Sequence, residues 1–270
     1  MRVALFWILI GLSAMLRPNV YGQLKPVCQL PLQHIELAAV DRLGNFYFLL
    51  PGQQLRCYNP DGVLQSETTV DAPGITLLEP WNPLKIFLYE HPGQTYRFFD
   101  RQLALLETHA LDPSLSTRPH LMCPAQEVNK AWILDADEQT LKKVDLNTLD
   151  IDLEVKMPMV TAEGIYPLMR AYQNRLFLLD GQVGIHIFNN LGKLITTVPV
   201  AGLNYFNFLG EELCYRKDKQ VMLMDIYTGE ERVAAVLDID SAILFTLITD
   251  ERLLVVTDQG VTFYQYELKN

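Results

Sequence analysis

Six times along the chain a short unbroken apolar run is followed by a second run in which apolar and polar residues mostly alternate. The first runs cover residues 46–50, 86–89, 131–134, 176–179, 213–215 and 253–256. The second cover residues 55–58, 96–99, 141–144, 185–188, 221–224 and 261–264. Unbroken runs of this length read as strands buried on both faces, and alternating runs as strands buried on one. Asn59, Asp100, Asp145, Asn189, Asp225 and Gln265 close the second runs in turn, at intervals of 41, 45, 44, 36 and 40 residues. Six units of this length account for residues 23–270. No segment shows a sustained 3.6-residue apolar period with caps, so almost no helix is expected.

The first unit is the cleanest. Strands are predicted over residues 35–41, 46–50, 55–58 and 63–70, separated by turns at 42–45, 51–53 and 59–62. In the last turn, Asn59-Pro60-Asp61-Gly62, proline sets φ and glycine accepts a positive φ. Four short antiparallel strands repeated six times predict an all-β chain, a six-bladed β-propeller. A pair of β-sandwiches is the alternative, but it has no need of a 41-residue period. The sixth unit stops after its third strand, residues 261–268, while residues 24–30 precede the first unit without a place in it. Using that N-terminal segment as the outer strand of the sixth blade completes the ring and removes an open edge.

The start of the chain changes the picture of its compartment. Met1-Arg2 is followed by an apolar stretch over residues 3–16, too short to span a bilayer comfortably. Arg17-Pro18-Asn19 ends it, and Val20-Tyr21-Gly22 offers small residues for cleavage before Gln23. Residues 1–22 therefore read as a secretory signal, with an uncleaved signal anchor as the alternative. The segment before Gln23 is similar to signal ends of exported Bacteroidota proteins. Export to periplasm or extracellular space is expected, with residues 23–270 as one domain. Losing Arg2 and Arg17 takes the formal charge from −10 to −12. Such a surface repels phosphate backbones and anionic lipid, so nucleic acid is not an expected partner, nor is membrane insertion after signal removal. The four cysteines, Cys28, Cys57, Cys123 and Cys214, form no CxxC pair and fall on four different blades. Free thiols are expected.

One stretch carries a family resemblance. Val40-Asp41-Arg42-Leu43-Gly44-Asn45-Phe46-Tyr47, followed by Leu55-Arg56-Cys57-Tyr58-Asn59-Pro60-Asp61-Gly62, resembles an NHL-type blade. Residues 174–180 and 185–194 resemble it more loosely. WD dipeptides and the Asp-box pattern are absent. The resemblance implies the six-bladed superfamily and selects no activity.

Candidate chemistry is sparse. There is no GxSxG elbow, Walker loop, HExxH or dinucleotide fingerprint. Equivalent positions at the ends of the second strands read Pro51, Glu90, Asp135, Asp180, Arg216 and Asp258. If they face the channel mouth, the four acids with Arg216 and the adjacent His91 form a binding rim able to hold Ca²⁺ or another divalent cation. Alternatively each acid caps its own turn. Trp81 and Tyr205, placed in or beside links between blades, are candidate exposed contacts, with burial the favoured alternative. The reading that follows is a monomeric, exported, non-catalytic scaffold without a cofactor, binding a protein or glycan. The alternative is a propeller enzyme, lactonase- or lyase-like, using a divalent metal in the channel.

Overall fold

The computed structural model describes residues 24–267. The expected signal segment and its cleavage site lie outside the described residues. The outer strand β1 (Lys25–Leu30) comes first. Blade one follows as β2 (Leu37–Val40), β3 (Phe46–Leu50), β4 (Gln54–Tyr58) and β5 (Leu64–Thr69). Blade two is β6 (Ile75–Glu79), β7 (Ile86–Glu90), β8 (Thr95–Phe99) and β9 (Leu105–Ala110). Blade three is β10 (Leu121–Pro124), β11 (Lys130–Asp135), β12 (Thr140–Asp145) and β13 (Ile151–Lys156). Blade four is β14 (Leu168–Tyr172), β15 (Arg175–Asp180), β16 (Gly184–Asn189) and β17 (Leu194–Pro199). Blade five is β18 (Phe206–Leu209), β19 (Glu212–Lys217), β20 (Gln220–Asp225) and β21 (Glu231–Val236). Blade six is β22 (Ile243–Ile248), β23 (Arg252–Thr257) and β24 (Gly260–Gln265), with β1 paired antiparallel to β24.

Six four-stranded antiparallel sheets thus form the predicted propeller, closed as the sequence suggested. The apolar pattern follows from this geometry. Both faces of the second strands pack against neighbouring blades, so every residue of β3 and β7 is buried. Outer strands alternate, as in β5 and β13, or are exposed throughout, as in β9. Tyr47, Trp132 and Phe177 fill wedges between blades, and with Phe87 they are essentially inaccessible.

The period has a chemical cause. The Oδ1 atom of Asn59 accepts from the amides of Asp61 (3.0 Å) and Val63 (2.8 Å). Asp100, Asp145, Asn189 and Asp225 do the same in their blades, with amides two to four residues ahead. Each marker therefore caps the turn into the outer strand. Gln265 has no such turn to cap, because its outer partner β1 comes from the other end of the chain.

Cys28, Cys57, Cys123 and Cys214 are free. Burial pushes the Cys57 thiol up to about 11 and raises those of Cys123 and Cys214. These three groups are small core residues.

The closing pair tolerates no side chain at Gly260. Its φ is +148°, and a Cβ would sit 2.6 Å from the Leu30 carbonyl oxygen of β1. Gly260→Ala should cost about 1–3 kcal/mol through backbone strain and the displaced strand. Chemical denaturation of the purified variant checks this, and an unchanged midpoint would show that β1 does not lie against β24 here.

Candidate functional site

Antiparallel order divides the loops between two faces. Turns joining first to second and third to fourth strands lie on one face, here called the turn face. Turns joining second to third strands, and the links between blades, lie on the other, the link face.

The predicted rim residues sit on the link face, each with its own partners. Glu90 ends β7 and pairs with Arg97 of β8 at 2.8 Å, and Arg97 also donates to the Asp71 carbonyl at 3.1 Å. Asp135 is fully buried. It accepts from Ser116 Oγ at 2.7 Å and from the Glu138 amide at 2.9 Å, tying the incoming link to its turn. Asp180 accepts from the amides of Gln182 and Val183 and lies 3.8 Å from His186 Nε2. Arg216 donates to the Asp218 carbonyl at 2.9 Å. Asp258 is exposed in the last hairpin. Among the described residues no three His, Cys, Asp or Glu side chains come together as a metal set.

His91 meets something the rim pattern did not include. Its ring lies 5.4 Å from that of His120, edge to face, and His120 lies 5.7 Å from Tyr166 in the same manner. The arc runs from blade two to the entries of the inner strands of blades three and four. His91, His120 and His186 all have pKa values below the usual imidazole range, with burial the main cause. The Arg118 charge adds to the effect at His91, and the His91 charge at His120. Asp180 opposes it at His186, as Asp137 and Asp135 do at His120.

The folded chain keeps these rings neutral at pH values where the unfolded chain protonates them. The unfolded state then binds more protons, so this stability is complete above about pH 6.5 and is lost as pH falls below it. Thermal unfolding should give a lower Tm at about pH 5.5 than at about pH 7.5. Each kcal/mol lost lowers Tm by about 2–4 °C in a domain of this size. His120→Phe should narrow the gap. A Tm that holds or rises on acidification would contradict the burial of these rings.

The turn face is different. A concavity of about 570 Å³ opens between blades two and three. Phe87, Tyr96 and Phe98 form its blade-two wall, while blade three lines it with Pro124, Ala125, Val128, Ala131 and Leu146 among polar residues. Small side chains opposite large ones leave the wedge unfilled. Trp81 and Tyr172 stand at the inner end, their rings 5.3 Å apart. Trp81 lies in the loop between β6 and β7, within a blade rather than between blades, and is half-buried. Tyr205, the other predicted contact, is buried at 8% exposure. A second hollow of about 190 Å³ lies over the channel mouth on the same face, bordered by Asp41, Leu43, Trp81 and Phe208.

Behind the hollows, side chains cross the channel. Arg170 of β14 grips Glu79 of β6 through two hydrogen bonds, 2.5 and 2.8 Å, reaching past blade three. Burial works against the guanidinium charge, but the Glu79 carboxylate outweighs it and the net shift is upward. The Tyr172 ring stacks on Phe208 at 4.1 Å.

Outside the outer strands, exposed apolar residues follow the same division. Leu43, Val63, Leu84, Val128, Leu149, Leu191 and Tyr227 project from turns on the turn face, whereas Met159, Ile165 and Val183 are their counterparts on the link face. Sequence reasoning placed the candidate site on the link face and missed the groove. One signal was available. Loops between first and second strands have five, six and five residues in blades one to three, against two, two and three in blades four to six.

No family model matches the chain, and no curated protein matches it. Solved structures do. The Myceliophteria thermophila Cps50 (Swd1) β-propeller domain matches at 11% identity and a TM-score of 0.64, over 90% of this chain and 99% of that one. A chain of the mitotic checkpoint complex matches at 11% identity and a TM-score of 0.61, over 99% of each. BBS1N, solved in complex with ARL6DN, matches at 10% identity and a TM-score of 0.59, over 92% and 97%. Identities this low show the fold alone.

Proposed function

We propose that this chain is a non-catalytic β-propeller scaffold that binds a protein partner on its turn face. The observation that carries the reading is the asymmetry of exposed apolar residues, seven turn tips on one face against three on the other. Single exposed apolar residues are ordinary, but their excess on the face that carries both hollows, which Leu43 and Val128 line, marks a contact surface. The link-face acids support the same reading, since Glu90, Asp135 and Asp180 are engaged in their own turns and links. The similar folds of the mitotic checkpoint complex chain and of BBS1N occur in protein complexes, which agrees with a protein partner. A glycan would leave the turn tips in water. Export and the NHL-like character of blade one belong to this reading. The latter rests on the Asp41 turn, where the carboxylate accepts from the Leu43 and Asn45 amides and from Tyr47 Oη.

Two pairs of substitutions at exposed positions test the face. Leu43→Lys with Leu191→Lys should lower retention of the native partner about tenfold or more, an energy of about 1.4 kcal/mol. Ile165→Lys with Val183→Lys should leave it unchanged. The reverse pattern would move the interface to the link face. N-terminal sequencing of the secreted chain should begin at Gln23.

A further inference from the structure

We propose that the groove between blades two and three is the anchor site of this face, and that it takes an apolar or aromatic side chain of the partner flanked by lysine or arginine. This rests on the protein-binding reading above. The volume, about 570 Å³, lies in the range of pockets that enclose a ligand group, about 300–1,000 Å³. The aromatic wall of Phe87, Tyr96 and Phe98 sets the apolar part of the occupant. Its lips are apolar too, since Val128 in its lining is 83% exposed and Leu84, next to the lining Lys85, is 64% exposed. A sugar would not cover these lips, whereas a peptide backbone passing over them would.

Charge sets the flanks. Lys85 and Lys130, the lysines lining this groove, are already paired with Glu107 and Asp152, and the lining Glu127 is paired with Lys143. Lys130 also faces Asp145, its cross-strand partner, so one lysine meets two acids, and the exposed Asp150 lies in the adjoining turn, in a chain of net charge −10. The groove also displays the chemistry it offers. Lys85 Nζ rests 4.0 Å from the centre of the Phe98 ring and 3.8 Å from Glu107. A partner's ammonium or guanidinium would meet the same ring and carboxylate.

The test uses the full chain and an array of short peptides. Each carries one Leu, Phe or Trp flanked by Lys/Arg, by Ser or by Glu. Basic-flanked peptides should bind best, and more weakly as salt rises. Val128→Lys, at an exposed loop tip, and Ala125→Trp, which fills the groove without removing core, should each weaken that binding about tenfold. The proposal is overturned if acid-flanked peptides bind as well, if no peptide binds tighter than about 1 mM, or if both variants bind like the parent. If Val128→Lys and Ala125→Trp retain the native partner while the Leu43/Leu191 pair loses it, the anchor assignment fails and the turn-face reading stands.

Discussion

A chain that begins at residue 31 should fail to fold as a single cooperative unit. Removing β1 deletes the outer strand of blade six and the pairings of Lys25 with Gln265, Pro26 with Tyr264, Cys28 with Phe263, Gln29 with Thr262 and Leu30 with Val261. It leaves β24 as a bare edge, with Val261 and Phe263, both now inaccessible, beside it. It also opens the joint between blades six and one, where Cys28 Sγ lies against the turn at Gly62. A domain of this kind has about 5–15 kcal/mol of total stability, and one strand of a closed ring is a large share of it. Expression of the truncated chain should give aggregated protein or a broad, non-cooperative melt. A chain that begins at residue 23 should melt like the parent. If both truncations melt alike, closure by β1 contributes nothing and the ring is held in another way.

Arg170→Ala and Glu79→Ala should each destabilise the fold by about 3–5 kcal/mol. Each leaves one uncompensated charge in the channel, where the two side chains are only 5% and 11% exposed. At about 2–4 °C per kcal/mol, Tm should fall by roughly 10 °C. The pair is not a net source of stability in the same measure, because taking both charges out of water costs nearly as much as their attraction returns. Glu79→Gln with Arg170→Met should therefore recover most of the loss, and the double-mutant cycle should show strong coupling. Additive losses would mean that the two groups do not meet.

The repeat was legible because its cause is local. Asn59, Asp100, Asp145, Asn189 and Asp225 cap turns built from the next few residues, and the second strands are apolar throughout because both their faces are covered. The rim positions were legible as positions, and Asp180 does cap its own turn. What engages Glu90 and Asp135 was not legible, since Arg97 meets Glu90 diagonally across a hairpin and Ser116 reaches Asp135 from the preceding link. The Glu79–Arg170 pair joins residues 91 apart in the chain, and nothing near either one announces it. The groove is an absence of volume between two sheets. It depends on Ala125 and Ala131 facing Phe87 and Phe98 across a wedge, which a one-dimensional pattern does not show.

Photocrosslinking inside the native host tests the central claim most directly. A photoreactive residue is placed singly at Leu43, Leu84, Val128 and Leu191 on the turn face, and at Ile165, Val183 and Asp258 on the link face. All seven positions are exposed, so the fold is left intact. A turn-face interface should give crosslinks to one discrete protein from the turn-face positions and none from the link face. Crosslinks concentrated at Ile165, Val183 and Asp258, or none from either face, would contradict it.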